Sequence, residues 1–172
     1  MSFLDLKPLI TAISEAHGYD AAMLAAQAHQ ESAFKLDAVS KAGAQGLMQF
    51  MPATWQEWGK GLDPFDAKAS LDAGVRYMKM LTARYRGASD PISLALAAYN
   101  GGMKRVDDAI KRTGRTDWQG IEAALPQETR AYVPAILNRA TFYKTIFVAG
   151  IAGPVVAILA MLTFLIVRRV MA

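Results

Sequence analysis

The sequence predicts a mainly α-helical domain that carries one small irregular or β-like lobe and continues into a single C-terminal transmembrane helix. Three observations carry this reading. Apolar residues recur at helical spacing, as at Leu6, Leu9, Ile10 and Ile13. One stretch, from Phe34 to Phe50, breaks that rhythm with Gly43, Gly46 and a turn-forming Ser40-Lys41 pair. The run from Ile146 to Val167 contains no charged residue, one hydroxyl (Thr163) and one proline. At about 1.5 Å per residue it is long enough to cross a hydrocarbon layer of about 30 Å. The expected organisation is a helical domain over residues 1–143 and an anchor with a short basic tail over residues 144–172.

Each element has its own local signal. A first helix is expected from Asp5 to His17, ended by Gly18. Asp20 is a cap for a second helix, Ala21 to Ser32, rich in strong helix formers and with Glu31 in its last turn. The Phe34–Phe50 lobe faces Glu31, and Gly46 shapes it by allowing positive φ or a close backbone approach. Pro52 suits the first turn of a short helix holding Trp55 and Trp58. Asp66 caps a long helix whose Leu71, Val75, Met78, Leu81 and Tyr85 share one face, with Gly87 as its stop. Asp90-Pro91 opens the next helix, which runs to Asn100 and stops at Gly101-Gly102. Val106 to Lys111 and Trp118 to Leu125 read as short helices. Gln127 to Tyr143 reads as a longer one that Pro134 kinks or delays.

Composition narrows the function classes. The chain has 172 residues, enough for one domain with a sizeable core. It has no cysteine, hence neither disulfides nor a thiolate metal site, and two histidines do not make a usual zinc site. No metal and no cofactor are expected. The net charge of +4 reads as a solvated basic surface, and no nucleic-acid motif accompanies it.

The stretch from His29 to Trp55 carries the chemistry. It sets Glu31 at the end of an apolar helix, then a Ser/Gly-rich turn, then Gly46-Leu47-Met48-Gln49. A carboxylic acid in a semi-apolar cleft keeps its proton near neutral pH, because burial disfavours the charged form. Such an acid over an ether oxygen is what breaking a glycosidic bond needs. This stretch closely resembles the catalytic signature of the soluble lytic transglycosylases, lysozyme-like enzymes that cut peptidoglycan. Ala97-Ala98-Tyr99-Asn100-Gly101-Gly102 resembles the family's second motif, and Glu128-Thr129-Arg130-Ala131-Tyr132 its third. The three blocks stand in the family's order and cover most of the chain. Met103 departs from the pattern, since many members carry proline there.

The resemblance implies a mainly α, α+β lysozyme-like fold and a set of site residues. Glu31 is the single catalytic acid and base. It protonates the oxygen between N-acetylmuramic acid and N-acetylglucosamine, the substrate's acetamido oxygen attacks C1, and Glu31 then takes the proton of the 6-hydroxyl. The product ends in 1,6-anhydro-N-acetylmuramic acid. Ser40, Gln49, Met51, Tyr99 and Glu128 are expected to bind substrate, with Tyr99 placing its hydroxyl beside the acid. Ser40 hydrogen-bonds either Glu31 or the sugar. Glu128 lines the cleft wall, begins a helix or pairs with Arg130. Ser32, Asn100 and Tyr132 support the site: Ser32 orients the carboxylate or caps the next turn, Asn100 turns the backbone or contacts sugar, and Tyr132 packs against the cleft floor. Asp37 is the sequence alternative for a second carboxylate and reads better as a solvated loop residue. His29 points to another side of the helix than Glu31, and Trp55 and Trp58 read as packing.

The expected partners are peptidoglycan glycan strands and, through Ile146–Val167, a lipid membrane. The N-terminus shows no secretory signal pattern. Arg168 and Arg169 favour a cytoplasmic C-terminus, and Arg139 and Lys144 blunt that bias. The favoured setting is a bacteriophage virion, on its membrane or ejection apparatus, with local wall degradation at genome entry. A bacterial inner membrane facing the periplasm is the other setting. Two further functions stay open: a hydrolytic muramidase on the same fold, and a wall-binding or assembly module of a membrane-piercing device.

Overall fold

Side-chain oxygens start most of the helices. The computed structural model describes residues 2–148. Helix α1 spans Phe3–His17, two residues earlier than its apolar spacing predicts, because Ser2 and Asp5 form a reciprocal capping box. Asp20 accepts from the backbone N–H of Ala22 and Met23 and opens α2, Ala21–Ser32. Pro52 opens the short α3, Pro52–Trp58. Asp66 caps α4, Ala67–Arg84, and Asp90 caps α5, Pro91–Gly101. Each such cap contributes about 1 kcal/mol.

The later elements differ from expectation in informative ways. α4 ends at Arg84, with Tyr85 rather than Gly87 as its cap. α6 spans Met103–Thr113, longer than the expected Val106–Lys111. Gly102, at φ 87°, lets the chain restart as a helix after a single residue. Trp118 to Leu125 divides into α7, Trp118–Ile121, and a 3-10 turn, Glu122–Ala124. α8 runs Gln127–Val148 with Pro134 inside it, so no late start occurs.

α5 is buried on nearly every side, from Ser93 through Ala98. It packs against α4, α6 and α8, while α2 packs chiefly against α8 and α1 against α2 and α4. Ala25, Ala26 and Ala28 of α2 and Ala95, Ala97 and Ala98 of α5 are fully buried. Such small side chains let helices approach closely. Leu24, Leu47, Met48, Leu71, Met78, Leu94, Leu96 and Ile136 fill the space between them.

The lobe between α2 and α3 is hairpin-like, held by two isolated antiparallel bridges, Val39 with Gln45 and Gln45 with Phe50. α8 passes position 143 without a break, and the Phe147 ring meets Phe3 edge-on at 5.8 Å. Beyond Val148 the expected transmembrane run lies outside the described residues. Among the described residues no helix is long and apolar enough to cross a membrane.

Candidate active site

The last turn of α2 sets the position of Glu31. Ala33 and Phe34 both take left-handed φ, 50° and 65°, which ends the helix and swings the chain into the lobe. Phe34 is buried against the rings of Phe3, His29 and Tyr143, which fixes that exit. Glu31 as a whole residue is half-buried. The protein around it removes most of its water, and this burial pushes its pKa up to about 7. A hydrogen bond from the Tyr132 hydroxyl to Oε1 works against that rise, and the nearby Glu128 carboxylate adds to it. A group poised there exchanges its proton near neutral pH.

Tyr132 is therefore more than floor packing. It is buried on α8 and is the residue whose side chain bonds the acid. Its own ionisation is pushed well up, by burial and then by the charge of Glu31.

Tyr99 is half-buried near the end of α5. Its hydroxyl lies close enough to feel the charge of Glu31, but it donates to the Met48 carbonyl at 2.8 Å. The ring packs at a tilt against Tyr77 at 5.4 Å and edge-on against Phe50 at 5.9 Å. Tyr99 thus ties α5 to the turn that carries Gln49. That turn is held from three more sides. Met48 N–H donates to the Ser70 hydroxyl at 3.1 Å. The Gln49 amide nitrogen donates to the carbonyls of Gly46 and Ala38 at 2.8 and 3.0 Å. Gly46, at φ 73°, passes so near Pro64 that a Cβ would stand 2.0 Å from its carbonyl oxygen. Gln49, itself at φ 49°, is left with its side-chain carbonyl for a ligand.

The remaining expected residues are placed as follows. Ser40 is exposed, and its Oγ accepts from Ala44 N–H at 3.0 Å, closing the lobe's turn rather than bonding Glu31. Ser32 is buried and donates to the Ala28 carbonyl at 3.2 Å, so it neither orients the carboxylate nor caps the next turn. Met51 is exposed where the lobe meets α3. Asn100 donates to Glu128 at 3.2 Å and accepts from the Thr129 hydroxyl at 2.7 Å, which ties the end of α5 to the start of α8. Glu128 takes this bond instead of pairing with Arg130. Asp37 is exposed. His29 bonds the Tyr143 hydroxyl at 2.8 Å, and Trp55 is buried with its indole N–H on the Leu62 carbonyl at 2.8 Å. Among the described residues no cluster of histidines and carboxylates is arranged to hold a metal ion. A separate groove of about 790 Å³ is lined by Arg105, Arg112 and Pro126 among others, and by none of the expected site residues.

Sequence reasoning passed over Gln27, Tyr19 and Thr129. Gln27 lies one helical turn before Glu31, fully buried among alanines and leucine, and a lone amide in such a face was a readable signal. Thr129 fills the space over Gly101, where a Cβ would come within 2.9 Å of its hydroxyl.

A half-buried glutamate at a helix end, a glycine-pinned glutamine turn and two tyrosines from α5 and α8 make an arrangement that can be compared with known proteins. The family described as the transglycosylase SLT domain matches residues 8–121. The chain belongs to that family. The match holds Glu31, Gln49 and Tyr99 of this SLT domain, while Glu128 and Tyr132 lie beyond its end. A membrane-bound lytic murein transglycosylase F of Desulfosudis oleivorans is 38% identical over 128 residues, 70% of this chain and 28% of that protein. A membrane-bound lytic murein transglycosylase D of Escherichia coli is 37% identical over 123 residues, 66% of this chain and 26% of that protein. The SLT domain chain thus spans about a quarter of the length of these curated relatives.

Among solved structures, the lytic transglycosylase Slt of Pseudomonas aeruginosa, an inactive Glu-to-Gln variant, superposes with a TM-score of 0.70 at 28% identity. It covers 83% of this chain and 24% of its own. The 70 kDa soluble lytic transglycosylase of Escherichia coli gives a TM-score of 0.70 at 26% identity, covering 81% and 24%. The 70 kDa enzyme in complex with bulgecin A gives 0.71 at the same identity. The mainly helical, lysozyme-like architecture of the SLT domain is the one expected from its motifs.

Proposed function

We propose that this chain is a peptidoglycan lytic transglycosylase in which Glu31 serves as the only acid and base. The observation that carries this is the Glu31 carboxyl itself. It is desolvated, bonded by Tyr132 and poised at about 7, so both of its protonation states are accessible at neutral pH.

Protonated, Glu31 gives its hydrogen to the oxygen between N-acetylmuramic acid and N-acetylglucosamine, and the C1–O bond breaks. The acetamido oxygen of the muramic unit closes on C1. Ionised, Glu31 takes the proton of the 6-hydroxyl, whose oxygen attacks C1 and expels the acetamido oxygen. The acid is regenerated and a 1,6-anhydro end is left, with no water consumed. A retaining glycosidase with a carboxylate nucleophile needs a second carboxyl about 5 Å away. Glu128 lies near enough to raise the proton affinity of Glu31 and accepts from Asn100, and Asp37 is an exposed loop residue; the proposal gives neither of them the part of that nucleophile. Support also comes from relatives named lytic murein transglycosylases and from the inactive Glu-to-Gln variant of the Pseudomonas aeruginosa enzyme. On this reading the Gln49 side-chain carbonyl and the exposed Ser40 and Met51 meet the glycan strand.

The domain over residues 1–143 would be held at a membrane by the segment 144–172. Relatives named membrane-bound accord with such a site of action. A phage particle that carries the enzyme to the wall is the favoured setting. Finding the protein in host envelopes and never in purified particles overturns that setting.

The deciding experiment is mass spectrometry of purified peptidoglycan digested by the full chain, with Glu31→Gln alongside. Anhydro-muropeptides, lost in the variant, are the expected result. Reducing ends instead make the domain a muramidase. Wall binding by a folded protein without any cleavage makes it a binding module.

A further inference from the structure

Gln27 and Glu31 lie one turn apart on α2 and so share a face of the helix. Gln27 is fully buried. Its carbonyl oxygen accepts a hydrogen bond from the Tyr19 hydroxyl at 3.1 Å. Its amide nitrogen is buried as well and has no hydrogen-bond partner. The same carboxamide sits against the Tyr132 hydroxyl, near enough to favour the ionised phenol. Tyr132 gives its only hydrogen to Glu31, so the lone pairs of its oxygen are free to accept from the amide.

An unpaired buried amide is costly to keep, and an apolar side chain of that length would fold more cheaply. The orphan N–H gains a use where it closes onto that oxygen during the reaction. We infer that Gln27 is a positioning residue for Glu31, whose free amide N–H closes onto the Tyr132 oxygen when the carboxyl ionises. Tyr19, Gln27 and Tyr132 then donate in one direction, each bond polarising the next, and the line ends on the carboxylate. Burial alone would hold Glu31 protonated. The line restores the anion that must take the proton of the 6-hydroxyl. No atom of Gln27 touches the substrate in this scheme. The catalytic consequence rests on the transglycosylase reading, whereas the coupling of Gln27 to the Glu31 proton does not.

The test is a carbon-13 NMR titration of the Glu31 carboxyl in the full chain, for wild type, Gln27→Met and Tyr19→Phe, with pH profiles of peptidoglycan cleavage beside it. In Gln27→Met the titration midpoint rises by about half to one pH unit, since the anion has lost its donor line. The alkaline limb of the profile moves up with it. The kcat falls about 10-fold with KM unchanged, and the melting temperature is kept or raised. Tyr19→Phe moves the midpoint the same way by less, which keeps the test intact if Gln27→Met does not fold. An unmoved midpoint in both variants overturns the inference even where wild type cleaves normally. A purely structural glutamine shows itself as lower stability with an unchanged pH profile. No cleavage by wild type defeats the transglycosylase reading, and the titration still judges Gln27.

Discussion

Tyr132 and Glu31, 101 residues apart in the chain, meet through a hydrogen bond from phenol to carboxyl. The packing of α2 along α8 makes that meeting possible. The bond opposes the rise in proton affinity that burial imposes on the acid. With Phe in place of Tyr132, the carboxyl holds its proton above about 7, and the variant turns over about 10- to 100-fold more slowly. Its stability changes by no more than about 1–2 kcal/mol. Steady-state kinetics beside a thermal melt check both, and unchanged kcat removes Tyr132 from the site.

The same proton gives the fold a pH dependence. Glu31 is raised from 4.5 to about 7 on folding, so the native state binds more protons than the unfolded chain between those values. Stability from this group is therefore lost as pH rises and is fully lost above about 7, by at most about 3 kcal/mol. Glu31→Gln is expected to melt above wild type at about pH 8 and alongside it at about pH 4. An equal gap at both pH values would mean that the carboxyl does not hold its proton.

Tyr99→Phe leaves the Met48 carbonyl without its donor. A loss of about 1–2 kcal/mol in chemical denaturation is expected, together with weaker cleavage, because the loosened turn carries Gln49. A variant of full stability and full activity would show that the hydroxyl matters to neither.

Gly46→Ala is the harshest single change expected in the lobe. Positive φ and a 2.0 Å clash with the Pro64 carbonyl act together. A cost of about 3 kcal/mol or more follows, readable as a collapse of the melting transition. An ordinary melt would mean that the lobe can shift away from Pro64.

Most of the helical framework was legible in the sequence because local signals set it: aspartates at helix starts, and apolar residues repeating along α1 and α4. The lobe was legible as a break in that repeat. What escaped depends on contacts distant in the chain. Nothing near Tyr132 reveals that it bonds Glu31, and nothing near Tyr99 reveals that its hydroxyl belongs to Met48. The extra turn at the start of α6 escaped because glycines read as stops, whereas Gly102 at φ 87° serves as the hinge between two helices. Ser32 and Ser40 were placed in the site by motif; Ser32 donates its hydroxyl hydrogen to the backbone, whereas Ser40 accepts from the backbone and keeps its own hydrogen.

α8 carries Tyr132 near one end and Val148 at the other, about 24 Å of helix apart. Phe147 braces the far end on Phe3, and Lys144 reaches Asp20 at 3.4 Å. On the anchored reading this rod is a ruler. It would set the height above the bilayer at which a glycosidic bond can be cut, so that helix length rather than sugar chemistry would select the layer of wall that is opened.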